Sequence, residues 1–219
     1  MEYFIVEEGY MWETILDILK EKAAEGVEVR FMYDGMCAIS MLPYDYPELI
    51  RSYGIQCKMS NKITPFLSTS QNNRDHRKIC VIDGKVAYTG GVNLGDEYIN
   101  RKVRFGHWKD TAFRLEGEGV WGLTSIFLEM WEVTMGYEIT TDYSVYMPTV
   151  KMPNDGFVQP FCDGPANNPN NPAEDVYTHI INKARDYVYI TTPYLVPERK
   201  MVEDLCRAAR SGVDVKIIV

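Results

Sequence analysis

The sequence lacks an excess of positive charge and any long apolar run, and each absence excludes a class of protein. It has 23 Lys and Arg against 31 Asp and Glu, so its formal net charge is −8. Nonspecific nucleic-acid binding depends on Lys and Arg that neutralise phosphates, so we predict no nucleic-acid partner. No stretch approaches the roughly 18 to 20 apolar residues of a membrane-spanning helix. No signal peptide precedes the first predicted strand, and we expect the chain itself to be soluble.

The cysteines and histidines lack the spacing of a metal centre or a redox motif. No Cys-x-x-Cys occurs, and the odd number of widely separated cysteines favours buried free thiols in a reducing compartment. The three histidines show no metal-ligand spacing, so we predict no metal site. These residues are Cys37, Cys57, Cys80, Cys162 and Cys206, with His76, His107 and His179.

What the sequence does contain is one dense motif between Asn72 and Asp96. His76, Lys78 and Asp83 follow the spacing H-x-K-x4-D, and a G-G-x-N tail follows seven positions after the Asp. The three spaced residues alone match by chance in roughly one chain in a hundred of this length, and the tail makes an accident much rarer. The alternative, a surface hairpin that happens to carry basic residues, is the weaker interpretation.

The local pattern predicts that this motif folds as a β-hairpin. Ile79 to Ile82 is a short apolar run typical of a buried strand. Asp83-Gly84 is a strong hairpin signal, and Val86 to Thr89 forms the returning strand. With a two-residue turn, Ile82 faces Lys85.

The same register gives the motif its chemistry. His76 and Lys78 are two residues apart, so their side chains share one face of an extended backbone. His76 faces Gly91, and we expect Gly90 and Gly91 to leave room there for a tetrahedral group that the Asn93 amide can reach. An imidazole nucleophile with a neighbouring ammonium and amide suits attack on a phosphodiester.

The motif resembles the signature of the phospholipase D superfamily, and its surroundings resemble the cardiolipin synthase branch. The matching text is NNRDHRKICVIDGKVAYTGGVNLGDEY followed by GHWKDTAFRLEGEGVWGLTSIFLEMW, and the resemblance covers nearly the whole chain. The family carries Ser or Gly at the position of Gly91, and Gly is typical of cardiolipin synthases. The resemblance implies an α/β fold, a phospholipase D-like mixed sheet flanked by helices.

The resemblance also implies roles for the motif residues. His76, Lys78 and Asp83 form the catalytic motif, and Lys78, Gly91 and Asn93 bind phosphate. The residues alone give Asp83 a different role. It lies an odd number of positions from His76, so its side chain would point to the opposite face of the strand. It lies at the turn, where it organises the hairpin without touching substrate.

Two further residues are candidates to line the site. Asp110 is either a carboxylate that supports the site, as the resemblance favours, or a plain turn residue. Tyr194 lies in Pro193-Tyr194-Leu195-Val196-Pro197, which the resemblance places at the cleft and which is otherwise a strand-to-helix turn. The connector from Tyr98 to Lys109 also borders the active site by resemblance.

The two ends of the chain resemble each other. LKEKAAEGVEVRFM from Leu19 lines up with LCRAARSGVDVKII from Leu205, which places Gly26 on Gly212 and Phe4 on Ile190. Generic strand–helix–strand packing could give part of this, but a duplicated half is the better interpretation. We therefore expect a nearly complete first half carrying the motif at 1–156, and the beginning of a second half at 157–219, truncated before its own motif.

The remaining patterns predict the other elements, with a parallel strand–helix–strand unit at the start. Polar segments at 68–73 and 166–172 are predicted loops. Helices are predicted at Glu13–Ala24, Pro47–Tyr53, Gly119–Trp131 and Ala173–Ala184, and strands at Met1–Val6, Val27–Tyr33, Trp108–Leu115 and Tyr187–Thr192.

The resemblance implies that phosphatidyl is transferred between two phosphatidylglycerol molecules, giving cardiolipin and glycerol through a phosphohistidine. It implies no cofactor, and the partners are phosphatidylglycerol and the membrane surface, at the cytoplasmic face of a bacterial cell membrane. Because two imidazoles must flank the phosphorus, a second half completes the site, and we expect this chain alone to be catalytically weak or inactive.

Three alternatives remain open. The chain could belong to another phosphodiesterase or phosphatidyltransferase of the superfamily, since these residues do not determine the acceptor alcohol. It could be a phospholipid-binding module without catalysis. It could also complete its site by homodimerisation, although the start of a second copy argues against that, and the sequence leaves the oligomeric state open.

Overall fold

The computed structural model describes residues 1–63, 74–134, 142–149, 151–154, 156–164 and 170–219. The predicted loop at 68–73 and most of the one at 166–172 lie outside these residues. The chain divides into two compact units, Met1–Phe161 and Cys162–Val219.

The first unit opens with the predicted strand–helix–strand arrangement. Strands β1 (Glu2–Tyr3) and β2 (Arg30–Asp34) are parallel and are joined through α1 (Tyr10–Ala24). The helix begins three residues before the predicted start because the carboxylate of Asp96, far along the chain, accepts the backbone N–H groups of Tyr10 (3.1 Å) and Met11 (2.8 Å). A cap from so distant a residue has no signature in the local sequence.

The predicted mixed sheet flanked by helices is confirmed. Six strands lie in the order β3-β2-β1-β4-β5-β6. Strands β1 to β3 are parallel neighbours, and each of the other pairs is antiparallel. After β2 the elements are α2 (Cys37–Ser40), α3 (Tyr46–Ser52), β3 (Gln56–Ser60), β4 (Lys78–Ile82), β5 (Val86–Gly90), β6 (Ala112–Glu116), α4 (Val120–Val133) and a 3₁₀-helix at Tyr143–Tyr146.

Alternation along β2 places helices on both faces of the sheet. Phe31 and Tyr33 point to one face, where Phe31 stacks on Trp12 of α1 with ring centroids 4.7 Å apart. Arg30 points to the opposite face, where its guanidinium lies 5.8 Å from the ring centroid of Trp131 in α4. Trp131 is buried in the core.

The predicted hairpin forms, but its predicted register is wrong by one residue. Ile82 pairs with Val86, not with Lys85. Asp83 (φ +54°) and Gly84 (φ +64°) make the turn, and the Lys85 N–H donates to the Ile82 carbonyl at 3.0 Å. Lys85 is therefore an extra residue between turn and ladder, as in a bulge.

The strand predicted from Trp108 begins four residues later, at Ala112. The backbone of Trp108 bonds the Asn100 side chain and not a neighbouring strand. Its N–H donates to Asn100 Oδ1 (2.6 Å), and its carbonyl accepts from Asn100 Nδ2 (2.8 Å). Asp110 consequently lies in the connector before β6.

The second unit consists of α5 (Pro172–Lys183), β7 (Tyr187–Thr191), α6 (Arg199–Arg210) and β8 (Asp214–Ile218), with β7 and β8 parallel. Gly212 (φ +93°) closes α6 as Gly26 (φ +91°) closes α1, and this left-handed conformation favours Gly.

The first strands of the two units do not follow the predicted alignment. Met32 pairs with Glu2, whereas its aligned counterpart Ile218 pairs with Thr191. By strand pairing, the structural counterpart of Glu2 is therefore Thr191, so the predicted alignment of Phe4 with Ile190 is wrong. The connections around the two helices differ in length, which shifts the first strands by three residues.

The five cysteines are free thiols. Cys37 and Cys57 are buried as predicted, whereas Cys206 is exposed. In the part of the chain that the structure describes, no helix has the length and apolarity needed to cross a bilayer.

Candidate active site

The structure brings His76 and Lys78 together where β4 begins. Lys78 is 5% exposed, and its Nζ donates to the His76 carbonyl at 2.6 Å and lies 3.0 Å from Nδ1 of the ring. The imidazole is exposed on one side and packs on Phe4 on the other, with ring centroids 4.6 Å apart. An ammonium thus lies against an imidazole that solvent can reach.

The surroundings favour the neutral form of this imidazole. Burial and then the Lys78 ammonium lower the pKa of His76 below its usual value, against the opposing effects of Asp75 and Asp34. Burial lowers the pKa of Lys78 to about 8, while Asp110 and Asp75 act to raise it. A neutral imidazole has a free lone pair, so it can act as a nucleophile near neutral pH.

Asn93 is buried beside β1 and holds neighbouring segments together. Its Oδ1 accepts from the Ile5 backbone N–H at 3.0 Å, and its Nδ2 donates to the Tyr98 hydroxyl at 2.6 Å. One of the two amide hydrogens is thus engaged by Tyr98, and an amide nitrogen carries a second one.

A β-carbon at either of the two glycines would meet protein atoms. A β-carbon at Gly90 would lie 2.4 Å from the Thr111 carbonyl oxygen, against the neighbouring strand. One at Gly91 would lie 2.1 Å from Oδ1 of Asp110. Asp110 is fixed by the Thr111 N–H (2.7 Å) and approached by Trp108 Nε1 (3.4 Å). Gly91 therefore admits the Asp110 carboxylate to the neighbourhood of Lys78.

The other two predicted site residues are Asp83 and Tyr194. Asp83 is at the exposed hairpin turn, beyond the far end of β4 from Lys78, and its carboxylate lies 3.8 Å from Nζ of Lys85. Tyr194 is 76% exposed and belongs to the second unit, where its N–H donates to Thr192 Oγ1.

Asp34, which was not predicted as a site residue, is a fully buried carboxylate at the end of β2. Its oxygens accept the backbone N–H groups of Met36 (2.8 Å) and Asp75 (3.1 Å). Arg74 and Asn61 donate to it at 3.3 Å. Asp34 thereby holds the segment that leads into His76.

A second group that was not predicted is the carboxyl pair of Glu2 and Asp75, the residue that precedes His76. Burial, and then the adjacent Asp75, raise the pKa of Glu2 well above its usual value. Burial acts to raise the pKa of Asp75, but the Glu2 carboxyl and Arg77 outweigh it, so the net shift is downward. Arg77 Nε donates to Asp75 Oδ1 at 2.8 Å and lies 3.0 Å from Glu2 Oε1. These opposite shifts favour a proton on Glu2 over one on Asp75.

One sequence signal could have indicated these acids. Glu2 and Asp34 each interrupt or end an apolar run that forms a buried strand. A buried carboxyl needs partners, so an acid in such a run points to a polar network.

The mixed sheet, with the H-x-K-x4-D hairpin at its centre, defines a phospholipase D-like domain. A family model described as "Cardiolipin synthase, PLD-like domain" matches residues 2–104 and 177–219, which is more than half of the chain. The chain belongs to this family.

Relatives match the chain over its whole length. It is 51% identical to an uncharacterized protein of Streptococcus mutans and covers 47% of that protein. It is 38% identical to a cardiolipin synthase of Alkalihalophilus pseudofirmus and 35% identical to a probable cardiolipin synthase of Bacillus subtilis, covering 43% of each. The chain thus spans less than half the length of these relatives.

Proposed function

We propose that the first unit is the nucleophile-bearing half of a phosphatidyltransferase that joins two phosphatidylglycerol molecules into cardiolipin and glycerol. The observation that carries the proposal is the exposed His76 imidazole held against the buried Lys78 ammonium. The names of several relatives, which are cardiolipin synthases, support the choice of substrate.

In the first step a ring nitrogen of His76 attacks the phosphorus of one phosphatidylglycerol. A P–N bond forms, and the P–O bond to the headgroup glycerol breaks. The glycerol oxygen takes a proton from a second imidazole and leaves. The Lys78 ammonium stabilises the charge on the non-bridging oxygens.

In the second step a hydroxyl of another phosphatidylglycerol attacks the phosphohistidine. Its proton passes to the second imidazole, the P–N bond breaks, and cardiolipin is released. Atoms and charge balance without a cofactor. Two displacements at one site make transfer possible wherever a lipid alcohol outcompetes water.

The second imidazole belongs to a second half, which we propose begins in the unit Cys162–Val219. Both units contain parallel strands connected through a helix, and both helices are closed by a left-handed glycine. The relatives are more than twice as long as this chain, which leaves room for such a half. We accordingly expect this chain alone to transfer phosphatidyl weakly or not at all.

The roles of the remaining site residues follow from their positions. Asn93 presents its second amide hydrogen to a phosphate oxygen, and Asp110, admitted by Gly91, counterbalances Lys78. Asp83 shapes the hairpin turn. Tyr194 is proposed to line the substrate site.

The test uses the full-length protein that carries this chain, in vesicles of phosphatidylglycerol labelled on phosphorus. Wild type should yield labelled cardiolipin and, on rapid denaturation, an acid-labile label on the protein. His76→Ala should lose both, with transfer lowered at least about 10⁴-fold. The control His179→Ala, in α5 and outside the motif, should retain both. Undiminished cardiolipin formation by His76→Ala would refute the proposal.

The same assay separates the other candidate reactions. Products formed with water, glycerol or serine as acceptor would identify a phospholipase or another phosphatidyltransferase of the superfamily. Binding of phosphatidylglycerol without any product would identify a lipid-binding module.

A further inference from the structure

Residues 99–109, which connect the Asn93 region to β6, form a closed loop. The Asn100 side chain bonds both the N–H and the carbonyl of Trp108, at 2.6 and 2.8 Å, and so clamps the base of the loop. The turn at each side uses a positive φ, at Asn100 (+58°) and Gly106 (+107°). We call residues 99–109 the clamped loop.

Ion pairs fix the clamped loop to the body of the first unit. Lys102 pairs with Glu7, and Arg104 pairs at 3.4 Å with Glu97, which is 2% exposed. The backbone N–H of Lys102 also reaches the Asp96 carbonyl at 3.3 Å. The loop is therefore ordered before any partner binds, which reduces the entropy lost on binding.

The tip of this ordered loop presents apolar side chains to solvent. Val103 is 82% exposed and Phe105 is 78% exposed, with a single residue between them. Isolated exposed apolar residues are ordinary on protein surfaces. Two at the tip of a loop held by a buried acid form a small apolar wedge, a feature of segments that insert into membrane interfaces.

Charge determines which partner fits this wedge. The clamped loop contains four Lys and Arg and no acid, within a chain of net charge −8. Lys102 and Arg104 are used in the ion pairs above. Among the described residues Arg101 and Lys109 form no ion pair; Arg101 lies 3.4 Å from the Tyr10 ring centroid, and Lys109 is exposed. Apolar tips flanked by cations match an interface with anionic headgroups.

The clamped loop adjoins the candidate active site. Trp108 contacts Asp110 through Nε1, and its ring packs on Tyr98 with centroids 4.9 Å apart. Tyr98 in turn accepts the hydrogen bond from Asn93. The base of the loop therefore contacts Asp110 directly and Asn93 through Tyr98, two residues of the candidate site.

We propose that the clamped loop docks this domain on a bilayer containing anionic phospholipid. Val103 and Phe105 enter the interface, and Arg101 and Lys109 face the headgroups. The assignment rests on the proposed function in one respect, that the substrate is a membrane lipid. Docking at this loop presents headgroups to His76 without removing the lipid from the bilayer.

The experiment measures binding of the chain to sedimentable vesicles, without turnover. Vesicles of phosphatidylcholine are compared with vesicles that also contain phosphatidylglycerol. Val103→Ser with Phe105→Ser should weaken binding to the anionic vesicles about tenfold. The matched control is Val145→Ser with Phe157→Ser, which removes one Val and one Phe that are also highly exposed outside the loop and should leave binding unchanged.

A second pair of variants tests the charges and guards against misfolding of the first. Arg101→Gln with Lys109→Gln should reduce binding to the anionic vesicles about tenfold and remove the preference over phosphatidylcholine. Equal binding by wild type and both double variants would overturn the proposal. So would self-association of the chain that the loop variants abolish, since the occupant would then be a second copy.

Vesicle binding and phosphatidyl transfer test the docking proposal and the proposed function separately. His76→Ala should bind vesicles as wild type does, because the imidazole is not in the loop. Loss of transfer with intact vesicle binding concerns the chemistry alone. Intact transfer with vesicle binding insensitive to the loop variants refutes docking alone.

Discussion

The carboxylate of Asp34 accepts the backbone N–H of Asp75 at 3.1 Å and so fixes the residue that precedes His76. The same carboxylate accepts from Met36 at 2.8 Å and from Arg74 at 3.3 Å. It therefore joins the end of β2 to the segment that enters β4. The position of the imidazole depends on a group that belongs to a distant part of the chain.

Removing this carboxylate should destabilise the protein. Asp34→Ala leaves one buried and one partly buried N–H group without their acceptor and removes the carboxylate that pairs with Arg74. We expect a loss of about 2–4 kcal/mol in the free energy of unfolding. Asp34→Asn keeps one acceptor oxygen and should lose less. Urea denaturation measures both. Asp17→Ala, on the exposed side of α1, is the control; an equal effect at both sites would contradict the role of Asp34.

The features predictable from sequence are those that local pattern determines. The alternation and turn residues of the motif predict the hairpin, and its two-residue spacing places His76 and Lys78 together. Helical spacing from Glu13 with a closing Gly26 predicts the first parallel unit. In each case the deciding residues lie within a few positions of one another.

The features that were missed depend on distant partners. An Asp before Gly35 also has the sequence pattern of a turn. Its place at the end of an apolar run indicates a polar network but does not identify Arg74 and Asp75 as the partners. The hairpin register was wrong because a two-residue turn and a bulged one have the same sequence, and strand pairing decides whether Lys85 joins the ladder. The close approach of Asp110 to Gly91 likewise depends on a residue that the motif does not contain.

Gly91→Ala should clash with Asp110, because the new β-carbon would lie 2.1 Å from its Oδ1. We expect about 1–3 kcal/mol of destabilisation, typical of overpacking. In an Asp110→Ala background the obstacle is gone, so the same change at Gly91 should have a much smaller effect. A double-mutant cycle by urea denaturation gives the coupling directly. Additive effects would show that the two residues do not compete for space.

Lys78→Gln should raise the pKa of His76. Burial and the Lys78 charge both lower this pKa, and the substitution removes the second cause while the first remains. The imidazole resonances of the chain, followed by NMR against pH, report the change, with His107 as an internal reference. A His whose folded pKa is lowered destabilises the protein as the pH falls below about 6.5. The variant should therefore be less sensitive to acid in that range.

Glu2→Gln should change how stability depends on pH. The pKa of Glu2 is raised in the folded protein, so above the unfolded value near 4.5 the wild type must keep a proton that the unfolded chain releases. Wild-type stability therefore declines as the pH rises from there towards the folded pKa, whereas Gln has no proton to lose. Between pH 4.5 and neutrality, the unfolding free energy of Glu2→Gln should therefore increase relative to that of wild type. A constant difference would show that Glu2 is ionised in the folded state.

Asp83 provides a direct choice between a catalytic role and a structural one. Its φ of +54° is tolerated by Asn and disfavoured for β-branched residues, so Asp83→Asn should leave stability nearly unchanged and Asp83→Val should lose about 1–2 kcal/mol. Because the side chain is exposed at the turn, Asp83→Asn should also retain phosphatidyl transfer in the full-length protein. Denaturation and transfer assays on the same two variants decide the matter. If Asp83→Asn kept full stability but lost transfer, the carboxylate would take part in the chemistry. If Asp83→Asn retains both stability and transfer while Asp83→Val loses stability, Asp83 acts through the hairpin alone.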